Sequence, residues 1–314
     1  MTVRSEPPAV PPPPKNIPLK NFSGTPWLVF LLVVAVAILW TLGLYRPRSG
    51  HFPRAEAEFR PAVERERARA AAQASLEKDP ENIAAWIETA VARFEEGPAQ
   101  YLPALEALER ARDLGAVDPR LFYYAAVMYE AVGLPDYAQP DYARYLRHRP
   151  DDAEVRLRLA NLQYRLGDYD KAIEEYSRLA AARPRDAVLA CNLAAAYREK
   201  QRWPEGIELL ERVSRDGAPL PDGGYKIWGD LHRGAGDPRR ALENYHTELT
   251  RQKDSIELAG AMAGAYEQLQ DWPQAMDQWK RVAELDPKHR LAREKIRSLQ
   301  RKIRAAERAG RKGK

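Results

Sequence analysis

The chain holds a single cysteine, Cys191, among 314 residues. No intramolecular disulfide can form, and no cysteine cluster can hold zinc. A charge surplus is missing too: 50 basic residues stand against 45 acidic ones, a net +5. Such a balance describes a surface laced with ion pairs and excludes the electrostatic profile of a nucleic-acid binder. Catalytic signatures are absent as well. No glycine-rich loop precedes Lys-Ser or Lys-Thr, no His-Glu-x-x-His occurs, and no serine sits in a Gly-x-Ser-x-Gly turn. The five histidines, His51, His148, His232, His246 and His289, stand at spacings that suit no metal. These gaps leave no catalytic residue, metal, cofactor or small-molecule substrate to propose, and the chain reads as a non-enzyme.

Long apolar runs are scarce, and the one that exists is informative. Residues 21–45 carry no charge, and residues 27–45 read WLVFLLVVAVAILWTLGLY. At 1.5 Å per residue this core spans about 28 Å, the thickness of the hydrocarbon layer. Trp27, Trp40 and Tyr45 lie towards its ends, where amphipathic rings favour the interface. Pro26 suits the first turn of a helix. A cleaved signal peptide needs a shorter apolar region and a small-residue cleavage site, which Leu44-Tyr45-Arg46-Pro47 does not offer. Residues 26–46 therefore read as a retained single-pass anchor. The span contains no ionisable residue, so it offers neither a proton path nor a cofactor ligand.

Its orientation stays open. Lys15 and Lys20 precede the span, whereas Arg46, Arg48, Arg54, Arg60 and Arg65 follow it, which favours a cytoplasmic array. A first span with a short basic tail nonetheless often keeps that tail inside, and large domains translocate despite their charge. Residues 1–25 form a Pro-rich tail whose run PPAVPPPPK favours extended polyproline II and reads as a spacer.

The rest of the chain repeats. Pro150 and Pro184 lie 34 residues apart, and segments aligned on them match throughout. Leu159 falls on Leu193, Ala160 on Ala194, Gly167-Asp168-Tyr169 on Gln201-Arg202-Trp203, and Ile173 on Ile207. The phase extends both ways and divides the chain at 83–118, 119–152, 153–186, 187–221, 222–255 and 256–289, the first copy needing about two extra residues in its turn. Small residues at the eighth and twentieth positions, such as Ala160 with Ala172 and Gly229 with Ala241, let two helices approach closely. Gly-Asp at the turn supplies a positive φ and a cap for the next helix. Residues 47–82 form a linker with one helix from Pro61 to Lys78. Residues 290–314 form a last helix with Ala292, Ile296, Leu299 and Ile303 on one face, arginines and lysines on the other, and a tail, AERAGRKGK, expected to fray.

These residues resemble the tetratricopeptide repeat over residues 83–289. The resemblance implies an all-α fold: a transmembrane helix, then an α-solenoid of about six helical hairpins, then a capping helix. It also implies a concave surface lined by the first helix of each hairpin. Carried over position by position, that face takes Arg120, Tyr123, Glu130, Asn161, Tyr164, Arg165, Cys191, Asn192, Arg198 and Glu199. Lys226, Asp230, Arg233, Glu257 and Glu267 complete it. Some family members clamp a C-terminal carboxylate, and Asn161 and Asn192 match the two asparagines of that clamp. Leu157 stands where its first lysine should be, so that mode of recognition is not expected.

The expected function is that of a membrane-tethered adaptor whose concave face holds a protein partner during assembly of a membrane or envelope complex. The chain resembles membrane-anchored tetratricopeptide proteins of bacteria, which implies a location in the bacterial inner membrane. The alternative is a permanent structural subunit of a larger membrane complex.

Overall fold

A computed structural model describes residues 52–312. The expected anchor at 26–46 and the Pro-rich tail lie outside the described residues, and among these no helix is long and apolar enough to cross a membrane. Residues 52–58 belong to a first compact unit. They form a short 3-10 turn, Glu56–Glu58, with the Arg54 N–H donating to the Glu58 carboxylate at 2.8 Å.

The second unit, Phe59–Lys314, is all helical among the described residues. It opens with α1 (Ala62–Lys78). Six hairpins follow: α2 (Ile83–Glu96) with α3 (Tyr101–Asp113), α4 (Pro119–Ala131) with α5 (Pro135–His148), and α6 (Ala153–Arg165) with α7 (Tyr169–Ala182). Then come α8 (Ala187–Glu199) with α9 (Trp203–Arg215), α10 (Gly224–Gly234) with α11 (Pro238–Leu249), and α12 (Ile256–Gln268) with α13 (Trp272–Leu285). Helix α14 (Arg290–Lys312) closes the array. The two extra residues of the first copy fall in a 3-10 turn, Pro98–Gln100, between α2 and α3.

Short polar side chains start the first helix of every hairpin but the fifth. Asp152 accepts from the Val155 N–H at 3.2 Å, Asp186 from Leu189 at 3.0 Å, and Ser255 from Leu258 at 3.2 Å. Asp168, expected to cap α7, makes no such bond; its carboxylate accepts from Lys171 at 2.9 Å and from Gln139 of the preceding hairpin at 3.3 Å. Its side chain links two hairpins instead of capping one.

Between the helices of a hairpin the gap is set by the small residues. Ala126, Ala160, Ala194 and Ala263 on the first helices, and Ala138, Ala172, Ala241 and Ala275 on the second, are fully buried. At Gly229 even a methyl group would not fit, since its Cβ would come within 2.4 Å of the Tyr245 ring and 3.0 Å of the Ala241 carbonyl oxygen.

Two places depart from the regular pattern. Helix α10 begins after Gly223 at φ +81° with no capping side chain. The buried carboxylate of Glu248, on α11, takes that role, accepting from the Gly223 N–H at 2.8 Å and the Tyr225 N–H at 3.1 Å. At the far end α14 extends to Lys312, into the tail expected to fray. Its Ala292 and Leu299 are buried against α12 and α13, and Lys302 lies 4.1 Å above the Trp272 ring.

Five of the six hairpin turns share one closing pattern, the first being closed by its 3-10 turn instead. After Gly167, at φ +80°, the Asp168 N–H donates back to the Gln163 carbonyl at 2.9 Å, the bond of a left-handed helix cap. Two turns keep this geometry without glycine: Gln201 at φ +57° and Gln270 at φ +60°. A side chain in that region costs about 1–2 kcal/mol. Gln201→Gly and Gln270→Gly should each stabilise the array by roughly 0.5–1 kcal/mol after the added freedom of the unfolded chain is counted. Thermal melting checks this, and a lower melting temperature in both variants would show that the glutamines are not strained.

Candidate protein-interaction surface

At three junctions the first helices of successive hairpins touch: α2 packs on α4, α8 on α10, and α10 on α12. The face that the first helices line is the one expected from the repeat pattern and is termed the inner face. Most of the polar residues assigned to this side from the sequence are brought together there, in pairs. Arg165 of α6 donates to Glu130 of α4. Arg198 of α8 donates to Asp230 of α10 at 3.0 Å, and Lys226, one turn before Asp230 on α10, reaches the same carboxylate oxygen at 3.0 Å. At the end of the row Lys295 of α14 donates to Glu267 of α12 at 2.7 Å. Each link crosses from one structural unit to the next or anchors a residue that does.

A second set of bonds reaches this face from below, and residue-by-residue assignment did not reveal it. The aromatic residue on the second helix of a hairpin lies under the first helix and extends its polar tip to the inner face. Tyr142 donates to Glu130 at 3.0 Å, Tyr176 to Asn161 at 2.6 Å, Tyr245 to Asp230 at 2.7 Å, and Trp279 to Glu267 at 2.7 Å. The rings are buried, which pushes the Tyr176 hydroxyl up to about 12 and keeps the donors protonated. The signal was present in the sequence: this position, where aromatic, holds Tyr or Trp and never Phe, which packs as well but cannot donate.

Other residues assigned to the face behave differently. Arg120 folds back on the cap of its own helix, with Nε and Nη2 on Asp118 at 2.8 and 2.5 Å. Tyr164 stands half-exposed, edge-on to Tyr169 with ring centroids 5.5 Å apart. Asn192 is half-buried on α8, and Glu199 is held by Arg198. Two assignments are corrected. Tyr123 is 1% exposed, its ring packed on Tyr124 and Tyr145 at centroid distances of 5.7 and 5.8 Å. Cys191 is 4% exposed, and burial pushes its thiol up to about 12. Both occupy the fifth position of their repeat; Tyr123 is covered by aromatic rings of its own hairpin, and Cys191 by the following one. At Gly224 an added Cβ would lie only 3.1 Å from the Cys191 sulfur, which shows how closely α10 approaches.

Residues 129–190 match a family model described as tetratricopeptide repeat. Those residues run from α4 into α8 and carry the tetratricopeptide repeat; the other hairpins share its helical-hairpin form. No curated protein matches the chain. Among solved structures the array is similar to Naa15/Naa10 bound to HypK-THB, at 18% identity and a TM-score of 0.52, covering 76% of this chain and 37% of that one. It is also similar to MamA 41-end from Desulfovibrio magneticus RS-1, at 18% identity and a TM-score of 0.50, covering 55% of this chain and 97% of that one. A further match is the APC/C hetero-tetramer Cut9-Hcn1, at 14% identity and a TM-score of 0.48; it covers 86% of this chain, which spans only 52% of that one. At these identities the likeness is one of fold.

The aromatic donors give the inner face a testable energetic basis. Tyr245→Phe keeps the ring against Gly229 and removes one donor from Asp230, which is 9% exposed. Loss of that bond should cost about 1–3 kcal/mol, read by chemical denaturation with an unchanged m-value. No loss would mean that Arg198 and Lys226 already satisfy the carboxylate.

Proposed function

We propose that this chain is a membrane-tethered, non-catalytic scaffold of the bacterial inner membrane. It helps to assemble a membrane or envelope complex by holding a partner polypeptide along the inner face of its repeats. The observation that carries this reading is the row of inner-face polar groups held by buried aromatic donors. A surface fixed in this way before binding loses little conformational entropy when a partner arrives. Support for a protein partner also comes from the repeat family, whose members mediate protein–protein interactions, and from the relative Naa15/Naa10, which is bound to HypK-THB. The tether rests on the apolar run at 27–45.

Purification of the tagged full-length protein from its own membranes in mild detergent, with mass spectrometry of what accompanies it, tests the reading. A variable set of clients is expected, and Tyr164→Ala with Arg165→Ala should release them. Arg165 is 59% exposed and its pair with Glu130 is a surface one, so Arg165→Ala should cost no more than about 1 kcal/mol. Tyr164→Ala also removes a half-buried ring packed against Tyr169 and the core and should lower the melting temperature, so Arg165→Ala alone is the control for folding. A fixed set of membrane subunits in constant proportion, indifferent to the double change, would instead make the chain a permanent subunit.

A further inference from the structure

Among the described residues much of the inner face is self-paired, but near its C-terminal half cations gather in excess, and Glu257 of α12 is exposed with no ion pair. Arg198, Lys226 and Arg233 gather around Asp230, while Glu199 occupies one side of Arg198. Three cations thus face two carboxylates. Arg233 is the least well paired of the three: it hydrogen-bonds the Tyr245 hydroxyl, its nearest carboxylate oxygen is 3.9 Å away, beyond hydrogen-bond reach, and its Nε is buried without a hydrogen-bond partner among the described residues. Its positive charge therefore lacks a directly hydrogen-bonded carboxylate.

Beside it the surface opens into a hollow of about 250 Å³, bordered by Arg198, Trp203, Asp230, Arg233, Gly234 and Gln268. The neighbouring stretch of α12 is bare. A Cβ at Gly260 would meet nothing within 4 Å, and one at Gly264 would lie 3.1 Å from Arg233 Nη1. A chain lying across α12 can therefore come close to the helix backbone while a side chain enters the hollow.

We propose that this hollow receives an Asp or Glu side chain of the partner polypeptide, paired to Arg233 beside Arg198. The proposal rests on the inner-face reading above. A carboxylate is the group that fits: it supplies two acceptors to a planar fork, and it balances the local charge without displacing Asp230 from Tyr245 and Lys226.

Site-specific crosslinking of the full-length protein in its own membranes tests this. p-Benzoylphenylalanine in place of Gln268 should attach to a partner segment carrying Asp or Glu within a few residues of the attachment point. Arg233→Gln should lower that yield about tenfold or more, the weight of one charge-assisted contact, whereas Arg233→Lys should restore part of it. The same crosslinker in place of Tyr164 reports on the inner face alone. Attachment from Tyr164 but not from Gln268 would overturn the carboxylate site and leave the inner-face reading standing. So would a Gln268-linked segment without an acid, or a yield indifferent to Arg233→Gln. No attachment from either position would overturn both.

Discussion

Every feature of this array depends on how closely the two helices of a hairpin can approach. Alanine or glycine at the eighth and twentieth positions removes the side chains that would hold them apart, and the fit is tight enough that Gly229 has no room for a methyl group. Close approach places the second-helix aromatic directly under the first helix. From there a hydroxyl or indole N–H can reach across and fix a polar residue on the inner face. Core packing and surface presentation are thus one arrangement. A larger residue at either small position would separate the helices and withdraw the donor at the same time.

The inner face that results is more self-paired than a list of its residues suggests. Glu130, Asp230 and Glu267 each take a donor from their own hairpin and a cation from a neighbouring element. The Arg165–Glu130 pair, with its arginine largely exposed, contributes little to stability. The larger effect of such pairs is to hold long side chains in place, which lowers the entropic cost of presenting them to a partner. Departures from full pairing become the informative positions, and Arg233 is the clearest.

The period, the six hairpins and the apolar face of the last helix were legible in the sequence because each rests on a pattern repeated many times. Single-residue features were less so. Tyr123 and Cys191 occupy positions expected to line the inner face, but neighbouring rings cover the first and α10 covers the second, an effect visible only once the helices are packed. Asp168 looked like a cap because it follows Gly167; a competing partner, Gln139, lies 29 residues away and no local rule could supply it. Glu248 caps α10 from 25 residues downstream for the same reason. The tail of α14 looked frayed because of its glycine and its charge density, yet it continues the helix begun by Ala292 and Leu299.

The central claim is that the inner, first-helix face holds the partner. Hydrogen exchange of the full-length protein, measured alone and with the polypeptide that accompanies it from its membranes, addresses that claim most directly. The account predicts slower exchange concentrated in α6, α8, α10 and α12, with α7, α9, α11 and α13 little changed. Protection confined to the second helices, or to α14 alone, would contradict it.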